Sequence, residues 1–382
     1  MRAFTHLTLD GVRYSKEWIL QHADALQEPA FSRNQINALT FCKQWLEGRK
    51  EFPIQTSGST GTPKNILLRR EQMILSAKLT GDALGLTPGE KAFVCLPCAF
   101  IGGKMMLVRS FELGLDVTIV EPSGNPFKSF PETNVPCFDF TAFVPMQLQA
   151  VLDAGQEAVA WLNRFKAVLV GGAPISHSLA RQIKPLAVPV YQTFGMTETV
   201  SHIALRRLNG PYASTHYEVL PNVTIGTDAR GCLTIESPLT NHRKIITNDI
   251  VEIRSGRRFI WKGRFDNVIN SGGVKIRAEK VERCLEEILS DVFENRIPNF
   301  EYMIGGVPDE RLGEKVVLLF EGRPEETILN EIRIQLRGKL QKYEMPKEFY
   351  FLDKFARTSN GKIDRIKTLR LLKKSNLNKS SC

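Results

Sequence analysis

Hydroxyls and two glycines crowd into Thr56-Ser57-Gly58-Ser59-Thr60-Gly61, and Thr62-Pro63-Lys64 sets an ammonium three residues after the second glycine. Glycines let a backbone turn tightly against a ligand. Successive N–H groups in such a turn hold an anion, and hydroxyls and an ammonium add donors for phosphate oxygens. The string is not a Walker A loop, because two residues rather than four separate Gly58 from Gly61 and Asn65, not Ser or Thr, follows Lys64. A second feature is Val168-Leu169-Val170-Gly171-Gly172-Ala173-Pro174, an apolar strand pattern ending in a glycine pair. At the carboxyl end of a parallel strand, such a bend opens the crevice where α/β folds bind ligands.

The elements that must position these groups read as α/β. Short apolar runs at Ala92–Leu96, Val117–Val120, Phe140–Val144, Ala167–Val170 and Val188–Tyr191 alternate with segments of helical character at Gly103–Leu113, Met146–Asp153 and Ser176–Ile183. Strands buried on both faces look like this in mostly parallel sheets. From Gly226 the texture changes to alternating runs, 231–235 and 249–253, separated by glycine turns, which predicts antiparallel strands. After Gly263-Arg264-Phe265-Asp266 a smaller α+β unit is expected, with a helix over about 278–289 whose Val281, Leu285, Ile288 and Leu289 share a face.

A chain of 382 residues with 42% hydrophobic content can bury a sizeable core and should hold two or three domains. Seven cysteines form no dense framework, and Cys95 and Cys98 lack a second pair at zinc spacing. Reduced thiols and a cytoplasmic location are expected, with no leader sequence and no membrane span. The formal charge is +10, but 357–382 alone carries eight Lys/Arg against Asp364 and so supplies +7 of it. A basic terminus with no zinc-finger spacing and no aromatic RNA-binding string is a solvated tail, and a nucleic-acid-binding protein stays the outsider.

The 56–64 string resembles the phosphate-binding loop of the adenylate-forming enzymes: acyl-CoA synthetases, luciferases and nonribosomal-peptide adenylation domains. Five more segments match that family in order, over about residues 50–370. The resemblance implies ATP binding by Thr56, Ser57, Gly58, Ser59, Thr60, Gly61 and Lys64, with Gly171 and Gly172 lining the acyl and nucleotide sites. Tyr191-Gln192-Thr193-Phe194-Gly195-Met196-Thr197-Glu198-Thr199 is similar to the aromatic-Gly-x-Thr-Glu segment. By that match Phe194 lies against adenine, with Gly195 beside it in the ATP site, Thr197 meets phosphate and Glu198 holds Mg²⁺, for which one carboxylate plus phosphate oxygens suffices. Thr247-Asn248-Asp249 corresponds to Thr-Gly-Asp, whose Asp accepts the ribose hydroxyls; Asn248 replaces the glycine and tolerates left-handed φ. Gly263–Asp266 matches the hinge, with Arg264 near ribose and phosphate and Asp266 as pivot, while Asn267 stands where a second Asp is common. Gly272, Gly273 and Lys275 fall in the loop that lines the thiol tunnel. Lys362, in Thr358-Ser359-Asn360-Gly361-Lys362, takes the place of the lysine that bridges carboxylate and α-phosphate. Phe100 stands where the family commonly carries His, and can still form a wall of the acyl pocket.

The resemblance thus implies an N-terminal core over 1–265, its first subdomain shortened, and a mobile C-terminal domain over 266–382. Its expected fold is a large domain of α/β layered sheets plus a small β-sheet, followed by a small α+β domain. Only 55 residues precede the phosphate loop here, and short relatives include the o-succinylbenzoate–CoA ligases of menaquinone biosynthesis. The string 195–203 resembles theirs, which implies a small-molecule carboxylate, ATP and CoA as substrates and Mg²⁺ as cofactor. Ser201 and His202, with Arg206 further off, are then the candidate donors to a second carboxylate. An alternative is a ligase that passes another aryl or fatty acid from its adenylate to a carrier protein. Oligomeric state is left open, a homodimer included.

Overall fold

The computed structural model describes residues 4–55, 65–131, 135–293, 301–358, 363–372 and 379–381. Among these, a 13-stranded sheet forms the first lobe. Its parallel part comprises His6–Leu9, Asp116–Ile119, Lys91–Val94, Phe140–Phe143, Ala167–Val170 and Val190–Gly195. Successive side chains of a strand point to opposite faces. Phe93, Val168 and Val170 accordingly enter one buried cluster, whereas Ala92, Val94, Ala167 and Leu169 enter the other. Helices Arg70–Leu84 and Ile101–Leu113 supply the second of these clusters, and Pro145–Leu152 and His177–Ile183 supply the first. Two-sided burial explains why these strands read as unbroken apolar runs.

The expected antiparallel run is present and is hydrogen-bonded onto the parallel set. His202–Arg207 pairs antiparallel to Val190–Gly195, and Tyr217–Val219, Arg258–Arg264, Ile245–Ser255, Cys232–Glu236 and Thr224–Thr227 follow outward. A separate hairpin, Glu51–Gln55 with Asn65–Arg69, packs Phe52, Ile54 and Leu68 into the first-lobe core. The 56–64 string therefore joins two antiparallel strands rather than a strand and a helix, a further difference from a Walker A loop.

The second lobe has its own six-stranded sheet, built from Val268–Ser271, Val274–Arg277, Tyr302–Asp309, Gly313–Glu321, Glu348–Leu352 and Lys379–Ser381. Helix Ala278–Phe293 runs past the expected end and buries Val281, Leu285 and Ile288 beside Leu329, Ile332 and Leu336 of Glu326–Lys339. Helix Arg365–Leu372 lies against a smaller cluster that includes Met303, Val317 and Phe355. A single turn, Phe265–Asn267, links the two sheets. The expected α/β core and following α+β unit are thus both seen.

Candidate active site

The candidate residues gather at the carboxyl ends of the paired parallel strands Ala167–Val170 and Val190–Gly195, where α/β folds bind ligands. A Cβ on Gly171 would lie 2.0 Å from Thr193 Oγ1, so a side chain there would require that hydroxyl to turn away. Gly172 adopts φ +84°, a region that favours glycine. Gly195 is the more constrained, since a Cβ would meet backbone, 2.2 Å from the Ser201 carbonyl oxygen and 2.5 Å from His202 Cα. The chain reverses here through a one-turn helix, Thr197–Thr199, and returns as His202–Arg207.

The reversal closes on a strained residue. Val200 is fully buried at φ 68° and ψ −56°, and the Ser201 N–H donates to the Thr199 carbonyl at 2.7 Å. This is a γ-turn of positive φ, rare for any residue and costly for a β-branched one. The Thr199 hydroxyl braces it, accepting from the Met196 N–H at 3.0 Å and reaching the Ser201 carbonyl at 2.8 Å. Glu198 is exposed at the lip of this turn, and Thr197 is half-buried beside it.

Phe194 is held by two edge-on rings, Tyr217 at 5.5 Å and Phe259 at 5.0 Å between centroids. On the neighbouring strands, Asp249 Oδ1 accepts from Trp261 Nε1 at 2.9 Å, and Asp249 Oδ2 faces Arg264 Nη1 at 3.7 Å. Burial, with Glu279 and Asp266 nearby, raises the Asp249 carboxyl above its ordinary value despite Trp261 and Arg264. Phe194 thus packs on Phe259, which shares its strand with Arg264, the partner of Asp249.

Phe100 caps helix Ile101–Leu113 and is 46% exposed. Two turns along, the same helix carries a residue that the sequence analysis did not single out. Arg109 is 3% exposed. Its Nη2 donates to Ser201 Oγ at 2.9 Å and its Nε to Thr80 Oγ1 at 3.2 Å. Thr80 Oγ1 lies 3.1 Å from His202 Nε2, and Ser201 Oγ lies 3.4 Å from His202 Nδ1. Desolvation alone lowers the Arg109 pKa to about 10, so among the described residues no carboxylate offsets its charge. The same burial, with Arg109 beside it, holds His202 well below the usual imidazole range and hence neutral. The only sequence signal for Arg109 is a cation that closes the apolar run Met105-Met106-Leu107-Val108, which Lys104 opens. Arg206 does not join this group; it bonds Gln192 and lies over the Tyr217 ring.

In the second lobe, Gly272 (φ +59°) and Gly273 (φ +80°) shape a turn whose Lys275 is exposed. Thr56, Ser57, Gly58, Ser59, Thr60, Gly61, Lys64 and Lys362 lie outside the described residues. Their flanks are placed, by the Gln55–Asn65 pair and the Arg357–Ile363 bridge. Among the described residues no group of three or more His, Cys, Asp or Glu could hold a metal. No helix among the described residues is long and apolar enough to cross a membrane.

The sequence pattern of the AMP-binding enzyme family matches residues 52–228. The crystal structure of an acyl-CoA synthetase (AMP-forming)/AMP-acid ligase II-like protein from Dyadobacter fermentans is 43% identical, with a TM-score of 0.60 over 92% of this chain and 97% of that one. The 2-succinylbenzoate–CoA ligase of Enterococcus faecalis is 26% identical over 81% of this chain and 67% of its own. The indoleacetate–CoA ligase of Aromatoleum aromaticum is also 26% identical, over 81% of this chain and 64% of its own. This chain thus spans about two thirds of the length of those two relatives.

Proposed function

The chain belongs to the AMP-binding enzyme family, and we propose that it joins an aryl dicarboxylate of the 2-succinylbenzoate type to CoA through an acyl-adenylate. Overall identity does not choose between a succinylbenzoate and an indoleacetate ligase, both at 26%. The observation that carries the choice is Arg109. A buried guanidinium with no anion beside it is costly unless a ligand supplies the anion. Its Ser201 contact places it next to the Gly195–His202 reversal, on the helix that Phe100 begins. One carboxylate of the acid would react while the other meets Arg109 and Ser201.

In the first step a carboxylate oxygen attacks the α-phosphorus of ATP, and pyrophosphate leaves. Negative charge gathers on the phosphate oxygens, where the 56–64 loop and Lys362 would offer preorganised donors. Glu198 and the phosphates would hold Mg²⁺, which screens that charge. Phe194 would lie against adenine, and Asp249, a partly desolvated acceptor steadied by Trp261, would take the ribose hydroxyls. In the second step the CoA thiolate attacks the acyl carbon and AMP leaves. We assign residues 1–265 and 266–382 to two domains that pivot at Asp266, so that Lys362 serves the first step and the Gly272–Lys275 turn the second.

A carboxylate panel tests this reading. ATP- and Mg²⁺-dependent pyrophosphate release should be greatest with 2-succinylbenzoate, and CoA should convert the adenylate to free thioester. Release with monocarboxylates alone would remove the dicarboxylate assignment. Adenylate that reacts with a carrier protein but not with CoA would favour the carrier-dependent alternative.

A further inference from the structure

Asn248 departs from the glycine of the pattern it resembles, and its side chain has partners at both ends. Its amide nitrogen donates to both carboxylate oxygens of Asp266, at 3.1 and 3.2 Å. Its amide oxygen accepts from Arg230 Nη1 at 3.1 Å, while Arg230 Nη2 donates to the Thr247 carbonyl at 3.2 Å. Arg230 is fixed in turn, through Nε to Asp228 at 2.8 Å and by lying 4.9 Å over the Phe265 ring. A donor on one side and a carboxylate on the other make this amide orientation self-consistent. The chain Arg230–Asn248–Asp266 therefore runs from the antiparallel strands of the first lobe to the turn that links the lobes.

The second lobe grips the same turn from its far side. Glu279, in the first turn of helix Ala278–Phe293, accepts from the Arg264 N–H at 3.1 Å and from Asn267 Nδ2 at 2.6 Å. A glycine at 248 would offer Asp266 no side-chain donor, and the first lobe's hold on it would fall to Arg264 Nη2, 2.8 Å away.

We propose that Asn248 is a positioning residue that ties Asp266 to the first lobe and biases the lobes toward the arrangement described here. The proposal rests on reading this link as the pivot between two half-reactions. In the present arrangement the Gly272–Lys275 turn packs on its own lobe at Gly272, where a Cβ would meet the Tyr343 ring, and is open beyond it: Val274 is 40% exposed, and nothing lies within 4 Å of a Cβ built on Gly273. Taking an open turn as one that has not entered the nucleotide site, the tie favours adenylate formation over thioester formation. It acts together with other contacts between the lobes, in which Glu286 accepts the His177 N–H at 2.6 Å and Arg181 donates to Ser290 at 2.9 Å. Its loss should shift the balance, not abolish it. A hydrogen bond of this kind is individually modest, so a three- to tenfold change in populations is expected.

The test uses the full chain, spin-labelled at Met146→Cys and Ile334→Cys, which are 72% and 62% exposed in the first and second lobes. Cys137→Ser, Cys284→Ser and Cys382→Ser remove competing thiols. Asn248→Gly should enlarge the minority population of the inter-lobe distance distribution three- to tenfold. The ratio of thioester formation, from supplied acyl-adenylate, to adenylate formation should rise by the same factor. Asn248→Asp, which sets one carboxylate against another, should move both readouts further in the same direction. An unchanged distribution in both variants would overturn the proposal, as would an equal fall of both half-reaction rates. A wild-type chain that releases no pyrophosphate with any acid would remove the functional reading instead, and the distance distributions would then decide the tie alone.

Discussion

Replacing Arg109 by methionine separates a ligand-binding arginine from a structural one, because the two roles predict opposite effects on stability. In this environment the guanidinium pKa falls to about 10 from an ordinary 12.5. At 1.36 kcal/mol per decade, keeping it charged costs the fold roughly 3 kcal/mol. Arg109→Met removes that cost and also removes bonds to Ser201 and Thr80, each worth about 1 kcal/mol net. The two effects nearly cancel, so the melting temperature should stay level or rise by a few degrees. Catalysis should respond differently. Losing one partner of a desolvated guanidinium–carboxylate contact should cost about 2–4 kcal/mol, or roughly 30- to 1000-fold in kcat/KM. That loss should appear for 2-succinylbenzoate and be small for the monocarboxylate analogue that keeps the reacting acid group and lacks the other. The assays are thermal unfolding without ligand and coupled pyrophosphate release with the two acids. A fall in melting temperature of many degrees, with equal losses on both acids, would refute the argument and make Arg109 a structural residue.

His202 is held neutral in the fold, while the unfolded chain binds its proton near pH 6.5, so the unfolded state carries more protons below that pH. Stability should therefore fall as pH drops below about 6.5, by at most about 1.4 kcal/mol per pH unit, and His202→Gln should flatten that slope in denaturant titrations. Gly195→Ala would drive a methyl into the Ser201 carbonyl, 2.2 Å away on a backbone that cannot swing aside, and should cost about 1–3 kcal/mol by the same titrations. Lys362→Ala should slow adenylate formation roughly a hundred- to a thousandfold yet spare thioester formation from supplied acyl-adenylate. Comparable losses in both steps would contradict a pivot that carries Lys362 away.

Much of the fold was legible because burial on both faces writes itself into the strands. Ala92–Val94 and Ala167–Val170 have no exposed face, so no polar residue interrupts them. The apolar run Val188–Tyr191 starts ahead of the strand proper, Val190–Gly195, which includes Gln192 and Thr193, whose polarity hides their place beside Arg206 and Val170. That the antiparallel run joins the parallel sheet is also invisible in alternation patterns; it depends on His202–Arg207 turning back against Val190–Gly195. Asn248 could be flagged as a departure, but its partners, 18 residues away in either direction, could not.

The acyl side of the site was legible only as names. Ser201 and His202 were candidates for what the string resembled, yet nothing in their spacing says which way their side chains face. The fold decides this through Val200. A residue in its strained conformation persists only where the surroundings over-determine it. Here the Thr199 hydroxyl, the close approach of Gly195 and the complete burial of the valine side chain all do so. The turn sets Ser201 Oγ against Arg109 and seats the His202 ring on Thr80. Releasing the strain with a glycine at 200 would ease the backbone but empty a valine-sized space in the core, a loss of order 2 kcal/mol or more. That loss offsets the strain of about 1–3 kcal/mol that glycine would relieve. The turn holds one hydroxyl and one neutral imidazole against a buried cation, an arrangement suited to receive a carboxylate.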